Sequence, residues 1–414
     1  MSTIALVMLP NPFLASPEMY APLGLLYVAA VLEENGHEVW IADFRGKKAL
    51  NDVNRGEFEK LAQADFVGVT ACTSSEVYDA VRTAWYVQNI NRDVVTVIGG
   101  PHASVRPHDF MFFDAVVVGE GEKVILDVIE GGKRGVVVGN PVKDLDGIPF
   151  PARHLLGEKA FSKTVYLGEK YGEGQKSTTV ISSRGCPFIC SFCAQEHGQV
   201  RYRSPENFAE EIRLLVEKHG CRHFRFVDDS FTLNKKRLKH ICSLLEPLDV
   251  HYRVQTRSDL IDAEMCEWLK RSGCDELAIG VETCDNEILQ LINKRETVEQ
   301  HKRAIRTIKN ASLLSKVYLM AGLPKESWNT IERIKQSMVD SQPDRWTLSM
   351  FCPFPGCDIE RHPEKYGVKI ISRDWSKYSN FSESLIETDV ASKEELDEHY
   401  RVLYEFLRSE KWKV

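Results

Sequence analysis

No stretch of this 414-residue chain is apolar for long enough to cross a membrane; runs such as residues 25–32 fall far short of the roughly 20 residues that a span requires. Basic residues are missing from the front, where none precedes Arg45, so the cationic start of a secretory signal is absent and a cytoplasmic protein is expected. Positive charge is not in surplus either. Lys and Arg number 53 against 60 Asp and Glu, a formal charge of -7, which argues against a protein that grips nucleic-acid phosphates. With 43% hydrophobic and 27% charged residues, the chain is neither disordered nor fibrous. In a reducing compartment 11 cysteines, an odd number, do not form a disulfide framework, so their clustering has to mean metal, catalysis or packing.

Two segments alternate between strand-like and helix-like patterns. In the first 140 residues, apolar runs at 3–9, 38–42, 66–70, 94–98 and 115–118 flank amphipathic stretches at 23–34, 77–89 and 123–130. Short buried strands separated by helices predict a doubly wound, Rossmann-like parallel sheet, with ligands at the carboxyl ends of its strands. Small and polar residues collect in those loops: Thr70, Cys72, Thr73, Ser74 and Ser75, then Gly99-Gly100-Pro101-His102, then Gly119-Glu120-Gly121-Glu122. Turns and N-caps account for each alone, while three at successive strand ends favour a bound ligand.

A proline-bearing stretch at 141–175 reads as a linker. Strands are then predicted at 178–182, 224–228, 252–255, 277–280, 317–320 and 346–350, with caps at Ser204 and Asp262 and closing glycines at Gly220 and Gly273. Six strand–helix units over 176–356 predict a partial (β/α)6 barrel working at its strand C-termini. Residues 357–414 form a short tail whose 392–411 stretch reads as one amphipathic helix. The basic run at 234–240 reads as an exposed helix face.

After the first barrel strand comes Arg184-Gly185-Cys186-Pro187-Phe188-Ile189-Cys190-Ser191-Phe192-Cys193. Three thiols spaced CxxxCxxC in one loop leave a metal centre with an open position, which catalysis requires and structural sites avoid. The rival reading is a zinc-stapled binding module using the three cysteines and His197.

The spacing, with an aromatic before the third cysteine, resembles the radical S-adenosylmethionine superfamily, and the remaining strand ends resemble its cobalamin-binding branch. These are Asp228-Asp229-Ser230-Phe231, Gln255 with Arg257, Gly280-Val281-Glu282-Thr283, Gly322-Leu323-Pro324 and Pro353-Phe354-Pro355-Gly356. Gly99-Gly100-Pro101-His102 and Gly119-Glu120-Gly121-Glu122 likewise resemble the cobalamin domain. The likeness covers roughly residues 3–356.

The resemblance implies a four-iron four-sulfur (4Fe-4S) cluster on Cys186, Cys190 and Cys193. It implies S-adenosylmethionine against Phe192, Asp228, Asp229, Gln255, Arg257, Glu282 and Gly322. Cobalamin would lie against Thr70, Thr73, Ser74, Gly99, Gly100, His102, Gly119 and Glu120. Asp228 and Asp229 would face the methionine ammonium, with helix capping as the plainer alternative. Arg257 would face its carboxylate or pair with Glu282. The activity implied is methyl transfer from S-adenosylmethionine, by way of methylcobalamin, to an unactivated carbon; cyclisation, rearrangement or hydroxylation is the alternative. An external electron donor of flavodoxin or ferredoxin type is implied, and a small-molecule, lipid-like or peptide substrate. The aromatics Trp375, Tyr378 and Phe381 are a weak pointer to an apolar one.

The sequence departs from that pattern in one respect. Cobalamin domains that replace the cobalt's own base carry Asp-x-His-x-x-Gly, and this one has none. His102 therefore reads as packing rather than a cobalt ligand, and Cys72 as a small buried residue. A methylthiotransferase would need a second cysteine trio in the first domain, where only Cys72 occurs. Cys352 and Cys357 could reach the barrel cavity; the other cysteines suit packing.

Overall fold

Valine-rich segments bounded by glycine or polar residues become strands, as β-branching and burial on both faces favour. The computed structural model describes residues 1–13, 19–163, 168–172, 174–195 and 197–409. The chain divides into two compact units, Met1–Gly174 with Asp374–Tyr378, and Gln175–Arg373 with Ser379–Val414.

The first unit is a parallel sheet of β1 (Thr3–Met8), β2 (Glu38–Asp43), β3 (Phe66–Thr70), β4 (Val95–Gly99), β5 (Ala115–Gly119) and β6 (Gly135–Gly139), in the order β2-β1-β3-β4-β5-β6. Its helices are α1 (Leu23–Glu34), α2 (Arg55–Leu61), α3 (Val77–Ile90), α4 (Pro101–Val105) and α5 (Gly121–Ile129). Successive strand side chains point to opposite faces, so Val7, Val69 and Ile98 join one core with Phe58 and Val87. Leu6, Val97 and Val117 join another with Leu25 and Val128. β6 is a sixth strand where the sequence predicts five, because its terminal glycines imitate turns. Gly139 is required by the chain itself: a Cβ there would stand 2.1 Å from the Glu120 carbonyl oxygen. Residues 141–163, read as linker, belong to this unit and bury Val142, Leu145, Ile148, Ala152 and Leu156. A short helix, α6 (Gly168–Tyr171), follows.

The second unit is an open half-barrel. Six parallel strands, β7 (Ser177–Val180), β10 (His223–Phe226), β11 (His251–Thr256), β12 (Cys274–Glu282), β13 (Leu314–Ala321) and β14 (Arg345–Met350), each pair with the next in sequence. A small antiparallel pair, β8 (Ser183–Arg184) and β9 (Arg201–Tyr202), brackets the cysteine loop. The helices are α7 (Pro205–His219), α8 (Lys235–Leu245), α9 (Ala263–Arg271), α10 (Asn286–Leu291), α11 (Val298–Asn310) and α12 (Trp328–Ser341). Ser204 and Asp262 cap α7 and α9 as expected, and Asn234, rather than an aspartate, caps α8. The tail adds α13 (Asp358–Arg361), a hairpin of β15 (Val368–Ile370) and β16 (Ile386–Thr388), and α14 (Lys393–Ser409). The predicted tail helix runs on to 410–411, which lie outside the described residues. No described helix is long and apolar enough to cross a membrane.

In the first unit the chain turns back at β1 and β3, the switch point where such sheets bind ligands. A buried network spans it. The Glu76 carboxylate accepts from Asn11 Nδ2 at 3.0 Å and from the Cys72 amide at 2.7 Å. Burial raises this carboxyl to about 7, against the hydrogen bonds that lower it. Glu76 thus binds its proton more tightly folded than unfolded, so its contribution favours the folded state at low pH. That contribution is lost as pH rises from its ordinary 4.5 through about 7. The difference in Tm between the Glu76→Gln variant and the parent protein, followed by calorimetry, is expected to shift in favour of the variant between pH 5 and pH 8. A pH-independent difference would show that Glu76 is not the group responsible.

Candidate active site

The cysteine loop is fixed at both ends by its own backbone. β8 and β9 close its base, where Gly185 lies at φ +90°, and the Gly198 amide donates to the Cys186 carbonyl at 2.9 Å. At the far end the Ser191 amide donates to Ile292 at 2.8 Å, and Ser191 accepts from Ile359 at 3.0 Å. Asn293 Nδ2 donates to the Ile189 carbonyl at 2.8 Å. The loop is therefore placed by α10 and the tail as well as by β7.

All eleven cysteines carry free thiols. Cys190 is buried, while Cys186 and Cys193 are half-buried. Burial pushes Cys193 up to about 12 and raises Cys186 and Cys190, while Arg257 and Lys294 draw the latter two down. Three thiols that burial holds neutral, beside two cations, form a donor set that a cationic metal cluster would deprotonate, and they fit such a group. Among the described residues no three His, Cys, Asp or Glu side chains converge on one point suited to a single ion. His197, the fourth ligand of the zinc reading, instead has its Nε2 3.2 Å from the Cys193 carbonyl oxygen.

Around the loop the two aspartates part. Asp228 is 0% exposed, and its oxygens accept from the Ser182 amide and from the hydroxyls of Ser182 and Ser183, at 2.5 to 3.2 Å. It ties β10 to the strand that feeds the cysteine loop. Asp229 is half-buried and lies where its charge raises Cys186 and Cys193. Gln255 donates to the Asp228 carbonyl at 3.2 Å. The Phe192 ring packs against the cluster of Ile292, Leu323 and Phe351. Gly322, at φ +79°, gives its amide to the buried Glu326, which also meets His399 of α14 at 3.2 Å. Its role is internal: a Cβ there would lie 2.7 Å from Met350 Sδ.

Arg257 and Glu282 do not pair with each other. Arg257 donates to both oxygens of Asp259 at 3.1 Å and to the Lys294 carbonyl at 2.7 Å, lies 3.8 Å over the Phe188 ring, and sets Nη1 4.0 Å from Cys190 Sγ. Glu282 instead takes Lys294, at 3.2 Å. Lys294 reaches Glu296 as well, at 3.3 Å, and Glu296 stands 3.7 Å from Arg257 while accepting from Ser258 and the Asp259 amide. Sequence reasoning missed Lys294, Glu296 and Glu326. The structure shows why Gly280 precedes the pair: a Cβ there would stand 2.4 Å from Glu282 Oε1 and 2.8 Å from Lys294 Nζ.

In the first unit the strand ends present half-exposed Thr70, Thr73, Gly99 and Gly100, and exposed Gly119, on three adjacent strands. Hydroxyls and bare backbone there fit a large polar ligand. Gly100 and Gly119 also answer to their own fold, because a Cβ on either would meet a backbone oxygen of Ala71 or Gly139 within 2.7 Å. Glu120 caps the Val142 amide. His102 is buried; its Nδ1 meets Ser74 Oγ and its Nε2 meets Asp109 Oδ2, both at 2.9 Å, with Trp375 4.9 Å away. Both ring nitrogens are engaged, so neither His102 nor Ser74 is open to a ligand in this arrangement. Cys72 is exposed rather than buried, with Sγ 3.7 Å from Thr70 Oγ1. Cys352 and Cys357 are buried, and Cys357 packs with Ile359 and Leu396. Of the tail aromatics, Trp375 and Tyr378 pack in the first unit, and Phe381, in the second, is 52% exposed.

Sequence profiles described as the radical SAM superfamily and the B12 binding domain match residues 180–338 and 15–129 respectively. The chain is 30% identical, over 86% of its length and 81% of the relative's, to a protein of Pyrococcus horikoshii named uncharacterized methyltransferase PH0819. The chain belongs to the cobalamin-binding radical S-adenosylmethionine family. An anaerobic magnesium-protoporphyrin IX monomethyl ester cyclase of Rubrivivax gelatinosus is 28% identical over 91% of this chain and 72% of that one. The hopanoid C-3 methylase of Methylococcus capsulatus is 26% identical over 83% and 70%. In fold, the chain matches the radical S-adenosylmethionine methyltransferase TsrM of Kitasatospora setae with a TM-score of 0.71 at 16% identity, covering 98% of this chain and 89% of that one. As a family member it is a radical S-adenosylmethionine enzyme, whose cofactors are a 4Fe-4S cluster, S-adenosylmethionine and cobalamin. Such enzymes draw their electron from an external reductant.

Replacing Asp228 by Ala leaves the Ser182 amide and two buried hydroxyls without their acceptor. A loss of about 3 kcal/mol in the second unit is expected, seen as a lower Tm by calorimetry, with less iron retained after anaerobic reconstitution. Unchanged stability and iron content would show that the tie to the cysteine loop is dispensable.

Proposed function

We propose that this protein is a cobalamin-dependent radical S-adenosylmethionine methyltransferase that moves a methyl group to an unactivated carbon of its substrate. One observation carries the reading: a loop with three thiols and no histidine of its own drawn in as a fourth ligand, at the working end of a half-barrel, in a chain that also matches a B12 binding domain. When bound, the cluster supplies the electron that cleaves S-adenosylmethionine, and cobalamin carries the methyl group. The relatives named methyltransferase or methylase support this choice of reaction.

Cys186, Cys190 and Cys193 would hold the cluster and leave one iron open for the amino and carboxylate groups of S-adenosylmethionine. Asp229, whose charge acts on the thiols, would attract the methionine ammonium, while Asp228 stays with Ser182 and Ser183. Glu282 at the end of β12 would accept from ribose hydroxyls, and Gln255 would add a polar contact from β11. Arg257 is fixed by Asp259 and Phe188, and would face the methionine carboxylate only by giving up part of that pairing. Phe192 would hold the loop backbone in place through its half-buried ring. Thr70, Thr73, Gly99, Gly100 and Gly119 would contact cobalamin, with Ser74, His102 and Glu120 keeping those loops in shape. No residue of the first domain is assigned as a base beneath the cobalt.

The second reading, cyclisation without methyl transfer, is favoured by the relative named as a cyclase, which matches 91% of this chain. Product counting separates them. With the reconstituted protein, cobalamin, a reductant and a candidate substrate, equal amounts of S-adenosylhomocysteine and 5′-deoxyadenosine are expected. Deoxyadenosine without S-adenosylhomocysteine would replace the methyl-transfer reading with the second one.

A further inference from the structure

The ion pairs beside Cys190 use more charge than capping or packing calls for. Lys294 is 5% exposed and lies between Glu282 and Glu296, at 3.2 and 3.3 Å. The backbone that delivers it is strained: Asn293 and Arg295, on either side, have φ values of +54° and +57°, and its partner Glu282 has +61°. Non-glycine residues in the left-handed region persist only where the surroundings over-determine them, and three at one spot mark a place built to hold a side chain. Gly280 adds a fourth constraint, because the Glu282–Lys294 pair occupies the space its Cβ would need. The same residue is tied to the cysteine loop by geometry: its backbone carbonyl accepts from Arg257 at 2.7 Å, and Arg257 sets Nη1 4.0 Å from Cys190 Sγ.

We propose that Lys294 is a positioning residue of this site: its buried ammonium holds the Glu282 carboxylate at the end of β12 and places a fixed positive charge beside the Cys190 ligand, which makes the cluster easier to reduce. The proposal rests on the reading that Cys186, Cys190 and Cys193 carry a cluster. Reduction adds one electron, supplied by the external donor, and no proton, so the cluster and its thiolates become one charge more negative. A buried cation nearby stabilises that state, because the low dielectric of the interior does not screen it. Without Lys294, the Glu282 and Glu296 carboxylates would face the cluster with Arg257 alone to offset them.

The test is a redox titration of the anaerobically reconstituted protein, followed by electron paramagnetic resonance, with S-adenosylmethionine affinity measured by equilibrium dialysis. In Lys294→Met, the ratio of reduced to oxidised cluster at a fixed potential is expected to fall at least tenfold, a downward shift of about 59 mV for one electron, and S-adenosylmethionine is expected to bind more weakly. Lys294→Arg is expected to keep most of the parent potential. The double variant Lys294→Met/Glu296→Gln, which removes one charge of each sign, is expected to recover most of the lost potential, whereas a purely structural role would leave it no better than the single variant. If Lys294→Met does not retain its cluster, the double variant and Lys294→Arg are compared with the parent in its place, and a potential well below the parent's in both would overturn the proposal. A parent-like potential in Lys294→Met would overturn it as well. A parent protein that binds no iron, by contrast, would remove the cluster reading itself.

Discussion

A chain of buried charges runs from Glu282 through Lys294 and Glu296 to Arg257 and ends beside Cys190. Such an arrangement is costly to desolvate and is kept only when every member has a partner, since removing one leaves an uncompensated charge worth about 3–5 kcal/mol. The rest of the site is arranged around it. β12 ends in a register shift so that Glu282 can reach across, and Gly280 leaves room for the pair. Ser258 and the Asp259 amide turn Glu296 toward the cations, and neighbouring His301, which burial pushes down to about 3, adds no charge. One network therefore joins the ends of two barrel strands, β11 and β12, to the cysteine loop.

The parts of this molecule that were legible in sequence are those whose signal is local. CxxxCxxC is read directly because one loop carries all three sulfurs. The barrel strands are read because buried runs alternate with capped helices, and the strand ends follow. What resisted reading is relational. Arg257 and Glu282 look like natural partners, yet the partner of Glu282 is twelve residues away in a loop without a motif. Adjacent aspartates are equivalent on paper; in the fold Asp228 is buried against Ser182 and Ser183, while Asp229 stays half-buried where its charge raises Cys186 and Cys193. Gly322 resembles a ligand-binding glycine, and its amide proves to be the property of Glu326, which sits four residues on and is itself held from the tail.

The first unit has the same division. Its fold follows from valine-rich strands, while the glycines that suggest a ligand are also demanded by backbone packing. Both explanations hold at one position: a loop bare enough to let strands approach is bare enough to let a cofactor approach. His102 shows the opposite case. A histidine in a cofactor loop invites assignment as a ligand, and its hydrogen bonds with Ser74 and Asp109 assign it to the scaffold.

The His102 cluster has one more member, Trp375, which reaches it from a segment more than 270 residues downstream. Synthesis proceeds from the amino terminus, so the sheet of the first unit emerges long before the residues that complete its packing around the α4 loop. The packing of the first unit is therefore completed only after nearly the whole half-barrel has been made. Domain by domain assembly gives way here to a closed circuit of chain. An isolated amino-terminal fragment would lack the indole that packs on its cofactor loop, and cutting the gene after Gly174 would leave Asp374–Tyr378 of the first unit on the other piece.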